Sequence, residues 1–289
     1  MYIFINGKIL PKEKANVSVF DHGFMYGVGL FETFRTYNKH PFLLDSHLER
    51  LNKGLGQLNI TRRFQREEIN AIIQLLLTEN RLENAYIRFN VSAGIGEIGL
   101  QTTPYNDANV IMYMKPLQTA EKLVEKKAEW LKINRNTPEG SERLKSHHYL
   151  NNLLAKREIG DDILTEGFFL TKEGYVAEGI TSNLFWIKDK VLYTPSLETG
   201  ILNGITRQYI LAQANRTGLE VREGLYFPEE LLQADEVFAT NSIQEIIPIK
   251  SIGLKNYKGA DGQVVQMLHK EYKKGCSTLW SIAELGGIR

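Results

Sequence analysis

Four features of this sequence combine residue types that could do chemistry. The first is Lys145, in the stretch NTPEGSERLKSHHYLNNLLAKREIG (Asn136–Gly160), where a polar, turn-like run gives way to a leucine-rich segment. A buried lysine of lowered pKa is a carbonyl-capturing nucleophile; a surface lysine at a helix start has no such role. A positive charge is poorly placed at a helix N-terminus, which favours the unusual role. The second is Glu178, after a strand candidate and before GITSN. It is either surface decoration or a carboxylate turned inward against a cationic ring nitrogen, and both readings stay open. The third is GILNGITRQYIL (Gly200–Leu211). A helix starting at Ile205 and Thr206 offers unpaired N–H groups and a positive dipole end to an anion. Gly204 lets a ligand approach the backbone, and the alternative is a plain helix cap. The fourth is a pair of further phosphate-type candidates: Arg50 in HLERL, and Thr240, Asn241 and Ser242 at the end of a strand in FATNSIQEI. Their alternatives are a solvated helix arginine and an ordinary polar turn.

Two motifs lead elsewhere. GIGEIG (Gly94–Gly99) matches a dinucleotide fingerprint in letters, but LQTTPYND follows it, with Pro104 and no helical period. The pyrophosphate in such a motif needs a helix N-terminus, so a glycine loop is expected instead. His147 and His148 are adjacent. On a helix they would point about 100° apart and could not share a metal. With one cysteine, Cys276, no cysteine-rich metal site or internal disulfide framework is expected.

The elements that must position these residues read as a mixture of hairpins and helices. Tyr2–Ile5 and Lys8–Leu10 flank an Asn6-Gly7 turn. A helix capped by Asp45 or Ser46 carries Leu48, Leu51, Leu55 and Leu58 at helical spacing, and a second covers Arg66–Asn80. AYIRFNVSA and NVIMYMK are strand candidates. The polar KPLQTAEKLVEKK reads as a linker, dividing residues 1–118 from 119–289. The second part opens with the strand candidate AEWLKINR. After the leucine-rich helix come EGFFLT, YVAEG, NLFWIK and VLYTP as hairpin strands, then a helix from Ile205 to Arg216, EVRE, PEELLQA, DEVFATN and an amphipathic GQVVQMLHKEYKKG. Without a βαβ rhythm, the expected class is α+β. A formal charge of +1 gives no sign of nucleic-acid or membrane-surface binding. No apolar run is long enough to span a bilayer, and the N-terminus lacks the features of a signal peptide, so a cytoplasmic location is expected.

Taken in order, HLERL, the lysine before a leucine-rich helix, AEGITSNLFW, GILNGITRQ and the strand ending TNS resemble the fold-type IV pyridoxal phosphate enzymes, the class-IV aminotransferase family. The likeness runs from FINGK to EIIPI. It implies two α+β domains, the larger C-terminal one carrying the lysine, with the cofactor between them in a homodimer. Lys145 would bind pyridoxal 5'-phosphate covalently and act as base. Glu178 would hold the proton of the pyridine nitrogen. Arg50, the Ile205 and Thr206 amides, the Thr206 hydroxyl, Ser242 and Asn241 would hold the phosphate, and Tyr149 the ring hydroxyl. FDHGFMYGVGLFETFR and the Lys145 stretch are most similar to the family's lyases. These convert 4-amino-4-deoxychorismate to 4-aminobenzoate plus pyruvate, in folate biosynthesis. Phe31, Thr33, Arg88 and Tyr26 would face the substrate, although packing explains Phe31 and Tyr26 as well, and solvent Arg88. YIRFNV resembles the branched-chain aminotransferases, which remain the alternative activity. VSAGIGEIG lacks the arginine and histidine of D-amino-acid transaminases of this fold. A non-catalytic binder would need no Lys145–Glu178 pairing.

Overall fold

A computed structural model describes residues 1–118 and 122–287. The chain forms two compact units. The first holds residues 1–118 with Leu144–His148 and Cys276–Glu284; the second holds 122–143, Tyr149–Gly275 and 285–287.

Unit one contains β1 (Tyr2–Ile5), β2 (Lys8–Pro11), α1 (His22–Tyr26), β3 (Gly29–Tyr37), β4 (His40–Pro41), α2 (Leu44–Gln57), α3 (Arg66–Asn80), β5 (Ala85–Ser92) and β6 (Asn109–Pro116). The strands form one antiparallel sheet in the order β2-β1-β6-β5-β3-β4. Strand alternation sorts the faces. Ala85, Ile87, Phe89 and Val91 of β5 are buried, with Leu30 and Phe34 of β3, in one core with Leu44, Leu48, Leu51 and Leu55 of α2 and Ile69, Ile73, Leu76 and Leu77 of α3. Each large apolar side chain among them contributes about 1.5–3 kcal/mol on burial. The other face carries Tyr86, Arg88, Asn90 and Ser92, all partly exposed.

The expected cap of α2 differs. Leu43, at φ 56°, precedes the helix and no side chain caps it. Asp45 lies in the first turn, where it pairs with Arg66, and Ser46 Oγ accepts from Ile282 N at 3.0 Å. Tertiary partners thus claimed both candidate caps.

Unit two contains β7 (Lys126–Trp130), α4 (Leu150–Ile159), β8 (Thr165–Leu170), β9 (Val176–Gly179), β10 (Asn183–Lys188), β11 (Val191–Pro195), α5 (Ile205–Arg216), β12 (Val221–Gly224), α6 (Pro228–Leu232), β13 (Glu236–Asn241), β14 (Glu245–Ile252), β15 (Lys255–Asn256) and α7 (Gln263–Gly275). The sheet order is β12-β11-β10-β13-β14-β7-β8-β9, with β15 on β14. Its core includes Phe168, Leu184, Trp186, Val237, Ile247 and Ile249.

The α+β class holds, since each unit combines helices with a mainly antiparallel sheet. Some boundaries moved. β7 begins at Lys126, inside the expected linker, and ends at Trp130 rather than Arg135, because its parallel partners β8 and β14 set its length. β14 was not expected as a strand; it crosses Pro248 while pairing with β13. The expected division near residue 118 adjoins 119–121, which lie outside the described residues. The placement of the lysine with the C-terminal part is corrected. Leu144–His148 belongs to unit one, since Phe31 N donates to Lys145 O and His147 N donates to Gly29 O, both at 3.0 Å.

Candidate active site

In unit one, residues 144–148 lie along the edge of β3, with Ser146 bridged to Leu30. Leu144 packs into the helix-facing core. Lys145, one residue on, points to the opposite face, where its Nζ lies 4.7 Å from the Phe31 ring centroid. The Arg88 guanidinium sits 3.7 Å from the same centroid and donates from Nε to Asn90 Oδ1 at 2.8 Å. His147 stacks on Phe31 at 6.3 Å. Gly29 makes this possible, because a Cβ there would collide with the His147 imidazole. Burial, helped by the Arg88 charge, pushes His147 down to about 4, against a hydrogen bond to the Leu30 backbone. Its imidazole is neutral at pH 7. The two histidines stand outside any helix, and α4 begins five residues after Lys145. Thr33 pairs with Arg88 across β3 and β5. The Tyr26 hydroxyl accepts from Gly99 N at 2.8 Å, so the glycine loop braces it. No helix follows that loop.

Arg50 projects from α2 onto β3. Its Nε and Nη2 donate to the two Glu32 oxygens at 2.8 and 2.6 Å, and His47 Nδ1 lies 2.7 Å from Glu32 Oε2. Burial alone would raise the Glu32 carboxyl; the Arg50 charge and the His47 hydrogen bond outweigh it and hold it at about 2. Burial keeps His47 below its ordinary value despite Glu32. Neither Glu32 nor His47 stood out in the sequence. The signal was a charged residue at a core-facing position of β3, opposite two polar residues three apart on α2.

In unit two, Glu178 of β9 is 5% exposed. Its Oε1 accepts from Arg135 Nε at 2.8 Å, and its Oε2 from Leu202 N at 3.0 Å and Asn183 Nδ2 at 3.4 Å. Of the two open readings, the inward one describes its position. Thr206 is buried in the first turn of α5, where amide groups have no intrahelical acceptor. Gly204 precedes it closely packed, since a Cβ would collide with Asn183 Oδ1. Thr206 Oγ1 lies 3.2 Å from Ser242 Oγ, so the fold joins two hydroxyls that are distant in sequence. The Asn241 side chain is engaged within its own turn. Its Oδ1 accepts from Ile243 N and Gln244 N at 3.0 and 2.7 Å, and its Nδ2 donates to Gln244 Oε1, which braces the turn after β13. Tyr149 stands exposed at the start of α4.

Comparison with known proteins places this geometry. The chain is 47% identical over 287 residues to the aminodeoxychorismate lyase of Bacillus subtilis, covering 99% of this chain and 97% of the relative. It is 33% identical to a branched-chain-amino-acid aminotransferase of Pseudomonas aeruginosa, covering 93% of this chain and 91% of that one. The branched-chain aminotransferase of the thermophilic archaeon Thermoproteus uzoniensis, solved with norvaline, superposes with a TM-score of 0.85 at 27% identity, over 97% of both chains. A further branched-chain amino acid aminotransferase, from T.th. and complexed with N-(5'-phosphopyridoxyl)-L-glutamate, superposes with a TM-score of 0.84 at 30% identity, over 96% of this chain and 94% of that one. The profile of the family described as amino-transferase class IV matches residues 29–252, and the chain belongs to that family.

Proposed function

We propose that this protein is a pyridoxal phosphate-dependent lyase that splits 4-amino-4-deoxychorismate into 4-aminobenzoate and pyruvate. The observation that carries the reading is the 47% identity, over nearly both whole chains, to a lyase of that name. The residues present fit the cofactor's chemistry: a buried carboxylate suits a ring nitrogen, and paired hydroxyls at a helix start suit a phosphate. When bound, pyridoxal phosphate supplies an electron sink for the charge left when a proton leaves the substrate.

The chain's own residues do the rest. Lys145 would hold the cofactor and would supply its Nζ as the base. That nitrogen takes the proton from the amine-bearing ring carbon. The bond from the ring carbon to the enolpyruvyl oxygen breaks, the oxygen leaves with the electron pair as an enolate, and the enolate gains a proton at its CH2 carbon to become pyruvate as the ring turns aromatic. Glu178 would hold the ring nitrogen. Thr206, Ser242 and the Ile205 and Thr206 amides would hold the phosphate, and Arg50, oriented by Glu32, is the arginine that would meet it. Asn241 supports Ser242 by bracing its turn, and Tyr149 would meet the ring hydroxyl. Arg88, Phe31, Thr33 and Tyr26 form the substrate side, where Arg88 meets a carboxylate. The working form is a cytoplasmic homodimer. Apolar side chains left exposed in unit one, Phe24, Ile98 and Leu100 among them, support the dimer.

A coupled assay with 4-amino-4-deoxychorismate tests the reading. It predicts one pyruvate per 4-aminobenzoate from a yellow protein whose cofactor borohydride fixes onto Lys145. Rapid turnover of branched-chain amino acids with 2-oxoglutarate, and no lyase product, would move the assignment to aminotransferase. That second reading is supported by the 33% identity to a branched-chain-amino-acid aminotransferase. A colourless protein that takes up no cofactor would leave only a binding role.

A further inference from the structure

Glu178 is shared by two arginines. Besides the Arg135 bond, Arg143 Nε lies 3.8 Å from Glu178 Oε1. All three side chains are buried: Arg135 and Glu178 are 7% and 6% exposed, and Arg143 is 9% exposed. Two guanidiniums thus face one buried carboxylate. Arg143 is fixed where it stands, donating from Nε to Gly200 O, from Nη1 to Asn136 Oδ1 and from Nη2 to Asn136 O. Burial, and then Arg135, lowers Arg143 to about 10, against the pull of Glu178 and the exposed Glu139. Arg135 also donates to Asn136 Oδ1 and Asn151 Oδ1, both neutral.

Bringing two guanidiniums to one buried carboxylate is costly and calls for a purpose. The inference rests on the reading above, in which the cofactor's ring nitrogen meets Glu178. A lone carboxylate would hold a proton firmly on that nitrogen. A carboxylate already drawn by two cations holds it less firmly, because each guanidinium also repels the protonated ring. We propose that Arg143, acting with Arg135 through Glu178, sets the reaction specificity by weakening the proton on the ring nitrogen. A tempered electron sink leaves more of the charge on the substrate. There it expels the enolpyruvyl oxygen, instead of drawing a proton to the cofactor carbon and opening the transamination route. Arg143 is thus a positioning and tuning residue, and it does not itself touch the reacting atoms.

The test loads wild type, Arg143→Met and Arg143→Lys with pyridoxal phosphate labelled with nitrogen-15 in the ring, and follows ring protonation by NMR against pH. The midpoint should rise by about one pH unit in Arg143→Met and stay near wild type in Arg143→Lys. With 4-amino-4-deoxychorismate, the amine form of the cofactor trapped per pyruvate released should rise several-fold in Arg143→Met alone. Should Arg143→Met fail to fold, Glu139→Lys at an exposed position adds positive charge and should lower the midpoint. A midpoint equal to wild type in Arg143→Met, or in Glu139→Lys should Arg143→Met fail to fold, overturns the inference while leaving the lyase reading intact. A wild type that takes up no cofactor sinks both.

Discussion

Replacing Glu32 by glutamine perturbs the ion-pair cluster of unit one without changing its size. Glu32 is 1% exposed and bonded to both Arg50 and His47. Its carboxyl falls from an ordinary 4.5 to about 2, as the Arg50 charge and the His47 bond overcome the cost of burial. At about 1.4 kcal/mol for each tenfold change in proton affinity, the ionised form contributes about 3 kcal/mol. The folded value is depressed, so this stability is fully present above 4.5 and is lost as pH falls through about 2. The assay is urea unfolding of wild type and Glu32→Gln at several pH values. At pH 7 the variant should be less stable by about 3 kcal/mol, in the range for breaking a buried pair. The gap should narrow steadily between pH 4.5 and 2. A gap that is small at pH 7, or one that stays constant on acidification, would refute the argument. Cofactor binding adds an independent reading: the variant should release pyridoxal phosphate more readily, because Arg50 loses its bidentate partner.

Three further outcomes are expected. Lys145→Ala should abolish lyase turnover, and borohydride should no longer fix the cofactor; unimpaired turnover would remove Lys145 from its role. Thr206→Val should weaken cofactor binding about 10-fold or more, as loss of a hydrogen bond to a charged group does, measured by equilibrium titration of the apoprotein. His147→Asn should flatten the pH dependence of stability between 6.5 and about 4, since a histidine kept neutral by the fold loses stability as pH falls through that window.

The elements with strong local signals were legible from residue order. α3 and α5 occupy the expected Arg66–Asn80 and Ile205–Arg216, because apolar spacing and helix-start residues act within a few positions. The hairpin strands of unit two, from Thr165–Leu170 to Val191–Pro195, announce themselves by alternation and turn residues. The limits of β7 and the existence of β14 were not legible, because parallel partners far along the chain decide them. The caps of α2 were misread for a related reason: Asp45 and Ser46 had stronger partners at Arg66 and Ile282.

The sequence by itself determined the residue types: a lysine at 145, a carboxylate at 178, a glycine-led helix start at 204 and polar residues at 240–242. It also determined their order along the chain. Only the tertiary structure decided who restrains them. It seated Lys145 on β3 of unit one, set Glu32 and His47 behind Arg50, turned Asn241 to its own loop and surrounded Glu178 with Arg135 and Arg143. The physical reason is range. Propensity and periodicity act over one or two turns of chain, whereas a buried charge must be matched by whatever partner the packed fold brings within a few ångströms, however distant in sequence.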